Sequence, residues 1–125
     1  MAEGIEAITT AALGLALDAA ALRHQAIAAN IANHATEGYV PMKLNFEAQL
    51  ASARRNFSGN LDAFALSGVK LELEPVLEAS GGPARVQLDT EVADMARNSV
   101  QFQTLVRGLN RHFAVLSMAA SEGKK

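Results

Sequence analysis

Apolar and small residues recur at alternating spacings of three and four at both ends of this chain. Near the N-terminus the row runs Ile5, Ile8, Ala12, Leu15, Ala19, Leu22, Ala26 and Ala29. Near the C-terminus it runs Leu88, Val92, Met95, Ser99, Phe102, Val106, Leu109, Phe113, Leu116 and Ala120. A row of this kind is a heptad seam on a helix. At about 1.5 Å per residue, two such helices span roughly 40–50 Å each. In a chain of 125 residues they dominate any fold, and the simplest arrangement pairs them as a coiled coil. The expected class is therefore mainly α, in one domain, with an N-terminal helix over 5–33, an irregular middle over 34–88 and a C-terminal helix over 89–121.

The N-terminal segment carries more than one apolar face. Leu13, Leu17, Ala20, Ile27 and Ile31 form a second stripe, and only Glu6, Asp18 and Arg23 are charged between Ile5 and Asn33. A helix apolar on several faces is buried on several faces. One partner helix cannot cover both stripes, so the remaining cover is expected from other subunits. Composition agrees with close helix packing. The chain is 50% hydrophobic but only 5% aromatic, so much of its apolar content is alanine.

Signals at the helix ends are legible. Asp89 is the expected N-cap of the second helix, with Thr90 and Glu91 in the first turn, and Gly123 is its expected stop. In the middle, 44–53 reads as a short helix with Phe46 and Leu50 on one side. Phe57 and Phe64 flank a turn-prone Ser58–Asn60 stretch. Val69, Leu71 and Leu73 alternate with charged residues as a strand stopped by Pro75. Gly81-Gly82-Pro83 is a turn, after which 85–88 is expected to return as the second strand of a loose hairpin.

Composition excludes several classes. The net charge is −2 and basic residues are scattered, so no nucleic-acid partner is expected. There is no Cys, which removes disulfides and thiolate metal sites. His24, His34 and His112 could be imagined as a metal cluster, but His24 and His34 lack carboxylates at ligand spacing, and no metal or cofactor is expected. No phosphate-binding loop, dinucleotide fingerprint or nucleophile elbow occurs, so no catalytic residue is assigned and an enzyme ranks last. The first residues, MAEGIE, are acidic rather than basic, so no cleavable signal peptide is expected. Asp18 and Arg23 interrupt the best apolar window short of the roughly 18 residues of a membrane helix, so no transmembrane segment is expected.

The residues Ala29–Pro41 read ANIANHATEGYVP. Asn30 and Asn33 lie one turn apart, suited either to capping and turn making or to an interface. Gly38 is expected at positive φ, and Tyr39 is expected to anchor the turn with its hydroxyl bonded. This stretch resembles the signature of flagellar axial proteins, close to A-N-I-A-N-x-x-T-P-G-Y. Ala29, Asn30, Ile31, Ala32, Asn33, Thr36, Gly38 and Tyr39 match it, and Glu37 stands where the family has Pro. A second stretch, RVQLDTEVA, is similar to the V-x-L-D-x-E-M-A segment that opens the C-terminal helix of B-type proximal rod proteins. Asn98, Phe102, Gln103 and Leu105 then fit N-x-x-x-[YF]-Q-x-L, and Arg111, His112 and Phe113 resemble R-K-F. The S-R-x-[YF]-x-A-N run of the C-type rod proteins is not found. The resemblance covers both terminal helices, about half the chain.

What the resemblance implies is a structural subunit of the flagellar basal-body rod, transmitting torque from the membrane ring toward the hook. Its implied partners are other rod subunits, further copies of itself, and membrane-ring and export-gate components. It implies type III export without a cleaved leader into the periplasm-spanning rod. Its interface residues would be Asn30, Ile31, Asn33, Thr36, Gly38 and Tyr39, with Leu15, Leu22, Val92, Phe102, Val106, Leu109, Phe113 and Leu116 on the seams. The competing readings are another axial subunit, such as a C-type rod protein, and a cytosolic helical adaptor or chaperone. An adaptor is expected to be a folded monomer or closed dimer, whereas a lone rod subunit is expected to have mobile ends.

Overall fold

The computed structural model describes residues 2–56 and 62–123. Phe57, the Ser58–Asn60 turn and Lys124-Lys125 lie outside the described residues. The fold is mainly helical, in the order α1 (Ala2–Ala32), β1 (Met42–Leu44), α2 (Phe46–Asn56), α3 (Ala63–Ser67), β2 (Leu73–Pro75) and α4 (Leu88–Gly123). Helices α1 and α4 pack on each other, and α1 also carries α3 and β1. Asn30 of α1 meets Glu91 and Ala20 meets Asn98, so the two long helices run antiparallel.

The core sits mostly on α1. Leu15, Ala19, Ala20, Ala26 and Ile27 are buried, joined by Leu44 of β1 and by Ala65 and Leu66 of α3. The short helix α3 was not anticipated. The Asp62 carboxylate caps it by accepting from the Ala65 N–H at 2.7 Å, and a five-residue helix is too short to show a period. Phe64, read as a turn neighbour, lies in α3 and is 80% exposed.

The rows read as seams are rotated in the structure. Leu15, Ala19, Leu22 and Ala26 are buried or half-buried, but Ile5, Ile8, Ala12 and Ala29 are exposed. Leu15 lines a recess with Leu66, Val69 and Leu71 of the middle segment, while Ala20, from the second stripe, meets α4. Cover for two faces of α1 therefore comes from within the chain over part of its length, where other subunits were expected to supply it. On α4, Glu91, Asp94, Met95, Leu105, Leu109, His112 and Leu116 are half-buried and Asn98 is buried. Val92, Phe102 and Phe113 remain 52%, 39% and 47% exposed. Polar bonds from Glu91 and Asn98 to α1 set the rotation of α4, and apolar periodicity does not register polar anchors.

The small sheet exists, with partners other than those expected. β1 pairs antiparallel with β2, Met42 opposite Pro75 and Leu44 opposite Leu73. The alternating 69–72 stretch is not in the sheet. Instead the Gln49 carboxamide takes both main-chain groups of Glu72: Glu72 N–H donates to Oε1 at 3.0 Å and Nε2 donates to the Glu72 carbonyl at 2.6 Å. Pro75 lies inside the strand and not after it. It costs no ladder bond, because the carbonyl of the facing Met42 accepts from Asn30 and not from position 75. Residues 85–87 form no return strand; the Gly81-Gly82-Pro83 turn closes only an isolated Leu77–Pro83 bridge. Asp89 is not the N-cap. Helix α4 begins at Leu88, the Gln87 carbonyl accepts from the Glu91 N–H, and the Asp89 carboxylate accepts from Thr90 N–H within the first turn.

Within Gly4–Ala32 an 18-residue window reaches a mean hydropathy of 1.6, long and apolar enough to cross a membrane by length and composition. A core helix and an N-terminal signal sequence meet the same test, and only 17% of the window is buried within the chain.

Candidate functional site

Where α1 ends, the chain must turn and come back, and Asn30 organises the turn. Its side chain is 2% exposed. The amide oxygen accepts from Tyr39 O–H at 2.7 Å and from Met42 N–H at 3.1 Å. The amide nitrogen donates to the Met42 carbonyl at 2.9 Å and to Glu91 Oε2 at 3.3 Å. A carboxamide has two donors and two acceptor sites, and all four are used. Asn30 thus reads Met42 as a neighbouring strand would, with one bond to the N–H and one to the carbonyl. It occupies the open edge of β1 from the side of a helix. Arg23 extends this edging by donating to the Leu44 carbonyl at 3.3 Å. The Gln49–Glu72 pair repeats the device at the residue just before β2.

Asn33, one turn later, has a different task. Its Nδ2 donates to the Ala29 carbonyl at 2.9 Å and its Oδ1 accepts from Thr36 Oγ1 at 3.2 Å. The main chain adds Thr36 N–H to the Asn33 carbonyl at 3.0 Å. Asn33 therefore closes α1 locally, while Asn30 binds three separate parts of the chain. Ile31 is half-buried, and its carbonyl lies 2.8 Å from His34 Nδ1. Gly38 takes φ of 78°, the left-handed conformation that glycine adopts without steric cost. That geometry swings Tyr39 back over α1.

Burial tunes two groups at this junction. The Glu91 carboxyl is pushed above the usual range by desolvation, opposed by the Asn30 hydrogen bond and reinforced by the nearby charge of Asp94. The Tyr39 hydroxyl is raised first by burial and then by the Glu91 charge, which keeps it a donor to Asn30.

The structure brings Asn30 and Tyr39 together directly, and Asn33 and Thr36 beside them. It does not bring the seam residues into this cluster. Leu15 is buried far along α1; Leu22, Val106, Leu109 and Leu116 are half-buried; Val92, Phe102 and Phe113 are exposed. Three members were missed. Met42 acts through its backbone, which no side-chain pattern reveals. Glu91 stands in the RVQLDTEVA segment, so its place in a matched motif was the available signal. Asn98, 4% exposed, donates to the Ala20 carbonyl at 2.8 Å, and its spacing from Glu91 and Met95 continues one helical row. Its Oδ1 is buried without a hydrogen-bond partner among the described residues.

Chemically this cluster fastens. Every lone pair and proton of the Asn30 amide is committed, and Asp94, the nearest other acid, is paired with Arg97 at 2.8 Å. Among the described residues no three His, Cys, Asp or Glu side chains converge as a metal site. In comparison with known proteins, the chain matches no family model and no curated protein.

Proposed function

We propose that this chain is a structural subunit of the bacterial flagellar basal-body rod, of the proximal rod type. The observation that carries this reading is the Ala29–Tyr39 stretch. The residues matching the axial-protein signature are the ones that turn the chain at the end of α1. Asn30 and Tyr39 bond each other, Asn33 and Thr36 close the helix, and Gly38 supplies the positive φ. Glu91, from the second matched segment, joins the same cluster.

The balance of covered and uncovered surface supports an assembly role. Seven large apolar residues of α4, among them Val92, Val100, Phe102 and Phe113, are exposed, as are Ile5 and Ile8 of α1. In the rod such faces are covered by other subunits, and torque passes through many side-chain contacts. The fully bonded Asn30 cluster suits a part that must hold its shape under load.

Deleting the gene in its native bacterium is expected to abolish swimming and yield basal bodies without a rod. A tagged wild-type copy is expected to restore both and to copurify with basal bodies. Normal swimming of the deletion strain would overturn the assignment.

A further inference from the structure

Two surfaces of this chain fit each other but cannot meet within one molecule. On α4, Val100, Arg107, Arg111, Val115 and Met118 recur at helical spacing along the outward face. Val100, Val115 and Met118 are 64%, 55% and 65% exposed. Arg107 and Arg111 are the only charged residues between 100 and 118. They lie one turn apart with like charge, and neither is ion-paired among the described residues. On α1, Asp18 is exposed and unpaired. It is the one charged group lining a recess whose other walls include Gly14, Leu15, Leu66, Val69 and Leu71. A Cβ built on Gly14 meets nothing within 4 Å, so the chain's own packing does not require glycine there.

We infer that the recess beside Asp18 receives the outward face of α4 from a second copy of this chain, with Arg111 of one copy on Asp18 of the other. The register supports it. Gly14 and Ala11 precede Asp18 by four and seven residues, and Val115 and Met118 follow Arg111 by the same intervals. Antiparallel docking therefore sets two large side chains against two small ones while the opposite charges meet. Isolated surface ion pairs contribute little; here the charge fixes register, and apolar burial in the recess supplies the attraction. The two patches differ, so the contact is heterologous. It repeats along an open chain of subunits and does not close on a two-fold axis. The inference rests on the chain being an assembly subunit.

The test is concentration-dependent association of the full chain by sedimentation, with circular dichroism confirming unchanged helicity. Wild type is expected to form open-ended oligomers. Asp18→Arg and Arg111→Asp alone are expected to weaken association by about tenfold or more, since like charges then face each other. The double variant is expected to recover it. An equimolar mixture of the two single variants is expected to associate again into open-ended oligomers, because wild-type and charge-reversed contacts then alternate along the chain. Gly14→Leu, which fills the recess where a Cβ meets nothing within 4 Å, is expected to block association without altering charge. If wild type stays monomeric throughout, the assembly reading falls and this contact with it. If wild type associates and the three single variants associate equally well, this contact alone is overturned.

Discussion

The two ends of the α1–α4 pair are built on different principles. At the turn end, Asn30, Tyr39, Met42 and Glu91 are tied by four side-chain hydrogen bonds around a buried amide. At the far end, Ile5 is 68% exposed, Val115 and Met118 are 55% and 65% exposed, and no side-chain bond links α1 to α4 among the described residues beyond Asn98–Ala20 and Glu91–Asn30. One end is specified by its own chain. The other presents apolar surface that the chain's own described residues leave uncovered. A helix pair can thus be fixed at its root by side-chain hydrogen bonds while its tips carry exposed apolar residues.

The most direct way to break this contrast is Asn30→Leu. It leaves the Tyr39 hydroxyl and the Met42 N–H and carbonyl without partners, at about 1–3 kcal/mol for each buried group. The expected loss of stability in urea unfolding is several kcal/mol, against about 1 kcal/mol or less for Asn33→Ala in its exposed local turn. Similar losses for both would show that the turn end is not organised by Asn30. Gly38→Val comes next. A β-branched residue at φ of 78° is strained by roughly 1–2 kcal/mol, and the Tyr39–Asn30 bond should weaken with it. A melting temperature equal to wild type would show that the turn relaxes without glycine.

Glu91 allows a finer test of the turn end. Its folded carboxyl holds a proton more tightly than the unfolded one, so the folded state binds more protons in the window between the two. Stability should therefore fall as pH rises from the ordinary carboxyl range through the raised folded value. Glu91→Gln, which keeps an acceptor for Asn30 and removes the charge, should flatten that slope; an unchanged slope would place the titration elsewhere. The smallest change is expected at the far end. Ile5→Ser should alter the stability of the isolated chain by under about 0.5 kcal/mol. Amide exchange should be fast over 5–12 and slow over 19–30 in the same helix. Uniform protection along α1 would erase the distinction between root and tip.

Much of this was legible beforehand. Alternating spacings of three and four placed both long helices to within a few residues. The turn chemistry of Gly38 and the anchoring of Tyr39 followed from residue type. The small sheet was anticipated, but with the wrong partners. Leu73 and Pro75 pair with Met42–Leu44 because Gln49 captures Glu72 and Asn30 captures Met42, and carboxamides that imitate strands leave no periodic trace. Helix α3 escaped because five residues hold barely one turn. The N-terminal seam was read as a helix–helix contact, yet Leu15 faces Leu66 and Leu71 of the middle segment.

The sequence alone determined which segments are helical, how apolar they are, and where the chain must turn. These are local matters, settled by periodicity and by the few residues that tolerate unusual backbone angles. Only the tertiary structure decided how the long helices are rotated against each other and what the asparagines do. Asn30 and Asn33 are the same residue type one turn apart, and nothing local separates them. One becomes the buried centre of the fold and the other a half-buried helix cap, because the returning chain brings Met42, Tyr39 and Glu91 onto the side of α1 that Asn30 faces.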